Sequence, residues 1–175
     1  MKKSLIAAAI LAASTSSAMA EDSSNVMAGT YAEAGFSLYK IEIKASNNTV
    51  EIPLLTATFG KNLNEYFAVE GFLGTGLSKD NVPGDAKYAV NHLYGLNLKG
   101  SINITEDLKG FAKVGYAWSE MKASNTNFTD DRYFGTLGLQ YDINSQVYGS
   151  VSYTTYDSEY DVDENSLNVG VGYNF

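Results

Sequence analysis

The chain has 175 residues and a formal net charge of −8, with 12 basic against 20 acidic side chains. That balance excludes the basic footprint of a nucleic-acid binder, and the absence of cysteine excludes a disulfide scaffold and thiol chemistry. Two prolines, 16 glycines and 13 tyrosines favour strands and turns over helices.

In chain order, the first element is MKKSLIAAAILAASTSSAMA, residues 1–20. Lys2 and Lys3 give a positive start, Leu5 to Ala13 a short apolar run, and Ala18-Met19-Ala20 a small-residue cleavage site. This predicts a secretory signal removed after Ala20, leaving one domain over residues 21–175 with a net charge of −10, because the removed piece carries two lysines and no acid. The apolar run is too short to span a bilayer as a helix, and no later stretch reaches the ~18 apolar residues a helical span needs.

Eight strands follow, each alternating with period two. Near 29–41, Ala32, Ala34, Phe36 and Leu38 alternate with Glu33, Gly35, Ser37 and Tyr39. Near 50–60, Leu55, Ala57 and Phe59 alternate with Thr56, Thr58 and Gly60. Near 66–78, Phe67, Val69, Leu73 and Leu77 face away from Ala68, Glu70, Gly74 and Gly76. Near 87–102, Tyr94, Leu96, Leu98 and Ile102 oppose Asn91, Asn97, Lys99 and Ser101. Near 108–121 and 131–142 the apolar sets are Ala112, Val114, Tyr116, Trp118 and Leu137, Leu139, Tyr141. Near 146–157 the set is Val147, Val151 and Tyr153, and the last strand, LNVGVGYNF, ends on Tyr173 and Phe175.

The connections alternate in length. KNLNE (61–65), NITED (103–107) and NSQ (144–146) are short, while those near 42–49, 79–86, 122–130 and 158–163 are longer and polar. Short turns on one rim and long loops on the other are the pattern of an outer-membrane barrel. One face is apolar on nearly every strand, whereas the other holds Gly, Ser, Thr, Asn and the charges Glu33, Glu70, Lys99 and Lys113. A soluble barrel would turn a face rich in Lys and Glu to water. Small residues instead suit a narrow eight-strand interior, with the apolar face outward towards lipid. Aromatics near strand ends, Phe59, Phe67, Tyr94, Trp118, Tyr141, Tyr153 and Tyr173, fit interfacial girdles. The predicted fold is all-β: an eight-stranded antiparallel transmembrane β-barrel, an up-and-down meander.

LYGLNLKGSINITEDLKGFAKVGYAW (93–118), FGTLGLQYDINSQVYGSVSY (134–153) and LNVGVGYNF resemble the small eight-stranded outer-membrane barrels of Gram-negative bacteria. The resemblance is closest to the OmpA membrane domain, with OmpX/Ail-type and opacity-type barrels as relatives. It implies location in the outer membrane. It also implies that Tyr173 and Phe175 form the terminal signal read by the barrel-assembly machinery. Glu70 and Lys99 match positions where such barrels carry interior charges that pair in the lumen, and Lys113 matches a basic interior position. Gln140 and Ser150 stand where relatives place an acid and an arginine, so a smaller polar cluster of Glu70, Lys99 and Lys113 is expected to plug the lumen.

Other chemistry is sparse. His92, the only histidine, has no serine two positions on, which speaks against a lipid A deacylase pair, and GxSxG and HExxH are missing. The acid-rich run DSEYDVDEN (157–165) lacks the EF-hand glycine and reads as a solvated hairpin rather than a Ca²⁺ loop. No catalytic residue, metal site or cofactor is expected. The expected role is structural and surface-interacting, as a monomer. Its loops would meet host, phage or lipopolysaccharide partners, with the outer-membrane lipids around it and no nucleic acid. The alternative is a narrow, low-conductance, porin-like pore; a surface lipid-modifying enzyme stands third.

Overall fold

The computed structural model describes residues 29–43, 48–77, 80–82, 86–123, 126–157 and 162–175. Alternating side chains and short turns wind this chain into a closed antiparallel meander. Its staves are β1 (Thr30–Ile43), β2 (Asn48–Asn62), β3 (Phe67–Gly76), β5 (Ala86–Asn103), β6 (Leu108–Ala123), β7 (Thr126–Asp142), β8 (Val147–Tyr156) and β9 (Val162–Asn174). Each stave pairs with its sequence neighbour, β3 pairs with β5, and β9 returns to β1 through pairs such as Ala34 with Val171 and Phe36 with Val169. Closure removes the open edge that a sheet in lipid could not leave unpaired. A ninth strand, β4 (Asp80–Val82), folds back on β5 outside the eight staves. It falls in a stretch the sequence suggests is loop, because three residues are too few to display a period.

The three short turns repeat one device. Asn64, Thr105 and Asn144 each follow a leucine or isoleucine, and each side-chain oxygen accepts from a backbone N–H two or three residues on, at 2.8–3.0 Å. This Asx- or ST-type turn replaces ladder bonds where the chain reverses. Gly29, with φ of 73°, starts β1 at the same rim, and its carbonyl accepts from Asn62 N at 2.8 Å.

The facing agrees with the alternation. Phe36, Leu38, Phe59, Leu73, Leu96, Val114, Leu137, Val169 and Val171 are all exposed on the outer wall, as a lipid-facing belt requires. The opposite rim differs from expectation in extent. Residues 48–49, 126–130 and 162–163 belong to β2, β7 and β9 rather than to loops. Backbone pairing continues there beyond the apolar belt, where polar side chains hide the period. The wall is therefore uneven: β6 and β7 run 16 and 17 residues, whereas β3 and β8 run 10 each.

Candidate functional site

The candidate site is the lumen with its two mouths. Inward positions on the short-turn half form a charged network. Glu70 on β3 is 1% exposed; its Oε2 lies 2.7 Å from Lys113 Nζ on β6, and its Oε1 lies 3.8 Å from Lys99 Nζ on β5. Tyr31 OH donates to the same carboxylate at 2.5 Å. Lys99 also donates to Gln140 Oε1 at 3.1 Å, Gln140 Nε2 donates to Asp142 at 2.8 Å, and Asp142 pairs with Lys109 at 2.7 Å. Glu70, Lys99 and Lys113 are thus brought together, and the chain of contacts extends to Gln140, Asp142 and Lys109. The Gln140 amide oxygen thus accepts a hydrogen bond from the Lys99 ammonium and keeps that ammonium in the network. Three rings enclose the Lys99 ammonium: Phe111 at 4.8 Å, Tyr31 at 5.1 Å and Tyr148 at 5.9 Å. Contacts of this kind compensate a buried cation for lost water.

The inward glycines serve these rings. Tyr31 lies opposite Gly60, Phe72 opposite Gly95, Phe111 opposite Gly138, Phe134 opposite Gly115, and Tyr148 opposite Gly172. A Cβ at each of these five glycines would stand within 2.0 to 2.7 Å of its partner's ring atoms. Each glycine is a slot into which a cross-strand aromatic lies down across the lumen. The expectation that small inward residues merely suit a narrow barrel omits their partners, which are among its largest side chains.

The long-loop half of the lumen is apolar, contrary to the expectation of a polar interior throughout. Ile52, Leu54, Leu93, Ala117 and Phe134 are buried with Val50 and Tyr39, and Phe72, Ile41 and Tyr156 pack against them. Phe72 and Phe134 meet edge-on at 5.6 Å. Above this plug, Arg132 on β7 pairs with Glu164 on β9 and Asp130, and Tyr39 OH donates to Glu164. Glu164 corrects the reading of the acid-rich run as solvated: it points inward and is 7% exposed because the period of β9 continues back to Val162. Residues 158–161 of that run lie outside the described residues. Between the halves sits a neutral layer, in which Thr136 and Thr154 share a 2.8 Å hydrogen bond and Asn168 Nδ2 donates to Thr154 at 3.1 Å.

Two voids remain. A vestibule of about 280 Å³ opens at the short-turn rim, lined by Asn62, Asn103, Asn174, Lys99, Lys109 and Tyr148 among others. Near the other end a void of about 10 Å³, room for about one water, is lined by Tyr39, Leu54, Leu93, Ala117, Arg132 and Tyr156 among others. Tyr173 and Phe175 meet edge-on at 5.2 Å on the short-turn rim, where Phe175 N donates to Thr30 O at 3.0 Å. His92 is exposed and pairs across β6 with Glu120, away from the lumen. Among the described residues no three His, Cys, Asp or Glu side chains converge as a metal site.

The family model described as "Outer membrane protein beta-barrel domain" matches residues 5–175. No curated protein sequence matches. Among solved structures, the chain is similar to the attachment invasion locus protein Ail of Yersinia pestis, with a TM-score of 0.63 at 15% identity over 85% of this chain and 100% of that one. It is similar to Neisserial surface protein A, with a TM-score of 0.65 at 15% identity over 85% of this chain and 98% of that one. It is also similar to OprG of Pseudomonas aeruginosa, with a TM-score of 0.58 at 15% identity over 85% and 97% of the two chains. These likenesses show a shared fold. With the family match covering nearly its whole length, the chain belongs to the outer-membrane β-barrel family.

Proposed function

We propose that this chain is a structural and surface-interaction protein of the outer membrane. Residues 1–20 direct export and are removed, Tyr173 and Phe175 present the terminal signal for barrel assembly, and the long-loop end contacts host, phage or lipopolysaccharide partners. The observation that carries this reading is the filled lumen. Glu70, Ile52, Leu54, Ala117 and Tyr148 are each 1% exposed, so side chains occupy the interior in both halves. A barrel packed in this way has its outer surfaces left for function. The extra length of β6 and β7 beyond the apolar belt supports the same reading, since it raises a sheet above the membrane.

The Yersinia pestis Ail barrel has been solved in complex with the heparin analogue sucrose octasulfate. A heparin-like polysulfate suits this acidic chain poorly, so that ligand is not carried over to its loops. We read the protein as no enzyme: no serine stands at the spacing from His92 that a deacylase pair would use.

Shortening the β6–β7 hairpin tests the reading, with cell-surface binding and planar-bilayer conductance as the two readouts. Lost binding with no steady conductance before or after is the expected result. Binding that survives removal of each long loop in turn would overturn it. The pore alternative draws on the vestibule, which opens the short-turn rim as far as Lys99. Stepwise single-channel currents from the intact protein would favour it.

A further inference from the structure

Outward aromatics are arranged differently at the two ends of the wall. Near the short-turn rim they are spread around it: Phe59 on β2, Phe67 on β3, Tyr141 on β7 and Tyr173 on β9. Towards the other end four gather on three adjacent strands. Tyr94 and Trp118 are stacked at 5.8 Å, and Tyr116 meets Trp118 edge-on at 5.0 Å and Tyr133 at 4.8 Å. The register builds this cluster, because Tyr94 lies opposite Trp118 and Tyr116 opposite Tyr133. Tyr133 keeps the most free surface, at 67%.

The cluster sits at an interface. Tyr94, Trp118 and Tyr133 lie 9, 10 and 9 residues from the inner ends of their strands at Asn103, Leu108 and Asp142. A tilted strand needs about 9–11 residues to cross the hydrocarbon. One row further out the same face turns polar: Trp118 lies opposite Asp131, and Glu120 lies between His92 and Thr129. All four of these polar residues are exposed, and Tyr116 OH donates to Asp131. The described outward side chains of this patch include no lysine or arginine.

A belt that only anchors the barrel gains from rings all around it. A cluster confined to three strands and grading into two carboxylates fits something more particular. Sugar rings present C–H faces that lie on aromatic rings and hydroxyls that donate to carboxylates. Among the described side chains, a bare phosphate would find two negative charges and no cation. We propose that Tyr94, Tyr116, Trp118 and Tyr133, with Glu120 and Asp131, form a docking surface for the saccharide headgroup of an outer-leaflet glycolipid. This rests on the outer-membrane placement above.

Trp118 is the only tryptophan, so its fluorescence reports on the patch alone. The folded protein is placed in nanodiscs of phosphatidylglycerol and phosphatidylethanolamine, with or without rough lipopolysaccharide, and acrylamide quenching of Trp118 is measured. Lipopolysaccharide is expected to protect Trp118. Tyr133→Ala, removing one aromatic contact, should lower glycolipid retention about threefold, and Glu120→Gln should lower it as well. Tyr153→Ala, an exposed ring outside the cluster, should leave retention unchanged. Equal quenching in both discs, equal loss from Tyr153→Ala, or protection seen only in discs holding two copies of the chain would overturn the proposal. Mobility on unheated and boiled SDS gels keeps two failures apart. A heat-modifiable barrel with unprotected Trp118 sinks the saccharide surface alone, whereas a protein that never shifts sinks the membrane barrel itself.

Discussion

The two halves of the lumen are closed by different physics. The short-turn half relies on charge: Glu70 between Lys113 and Lys99, under a vestibule of about 280 Å³. The long-loop half relies on packing: Leu54, Leu93, Ala117 and Phe134 around a void of about 10 Å³. A buried ion network is specific but vulnerable, since losing one member strands the others. An apolar plug tolerates single losses more gradually and admits no ion. The outer half is therefore the seal, and the inner half fixes the register of β3, β5 and β6.

The largest effect is expected where charge is stranded. Glu70→Ala removes the carboxylate that is ion-paired with both Lys113 and Lys99 and should cost about 3–5 kcal/mol, measured by urea unfolding in lipid vesicles with Trp118 as reporter. Glu70→Gln combined with Lys113→Met should recover most of that loss. A cost near zero for Glu70→Ala would mean that vestibule water already solvates both lysines, and the contrast between the halves would disappear. Phe134→Ala should cost about 3 kcal/mol by opening a cavity in the plug. Conductance then separates the halves: Glu70→Ala alone should pass no steady current, and the combination with Phe134→Ala should pass one. Current from Glu70→Ala alone would move the seal to the inner half.

A third comparison sets inward against outward glycines. Gly172→Ala places a Cβ 2.0 Å from Tyr148 Cζ and should cost about 1–3 kcal/mol through displacement of the ring. Gly135→Ala, where a Cβ meets nothing within 4 Å, should stay within about 0.5 kcal/mol of the parent. The same unfolding measurement reads both. Equal costs would mean that backbone freedom, not the slot for the ring, is what these positions supply.

Much of this fold was legible because the lipid-facing period is unbroken: Leu167, Val169, Val171 and Tyr173 declare one face without help from the rest of the chain. Alternation put Glu33, Glu70, Lys99 and Lys113 on one face, and the family resemblance singled out the three that meet on neighbouring strands. The apolar plug was less visible. A period-two reading assigns one face as apolar and takes the other as polar by default, yet Leu54-Leu55, Phe72-Leu73, Leu93-Tyr94 and Tyr133-Phe134 put apolar side chains on both faces at once. Those doublets were the available signal. The aromatic–glycine slots needed the register between strands, which no single strand carries. Glu164 was hidden because the outer end of its strand is polar on both faces and read as a solvated hairpin, and Arg132 because it lies on its predicted strand ahead of the apolar set that begins at Leu137.

The smallest of these effects is expected at the outer mouth. Glu164→Gln keeps an acceptor for Tyr39 and removes the charge that faces Arg132. Arg132 retains Asp130 as a second partner, and the side chains of Arg132 and Asp130 are 12% and 42% exposed, so water and salt reach this pair. The substitution should therefore cost about 1 kcal/mol and less at high salt. The inner network has no such second anion on Lys113 among its ion pairs, and its carboxylate is 1% exposed. If Glu164→Gln proves as damaging as Glu70→Ala and insensitive to salt, the outer mouth is as dry as the plug beneath it. The lumen would then hold two ionic locks on either side of an apolar core, and the division into a charged half and a packed half would give way to three layers.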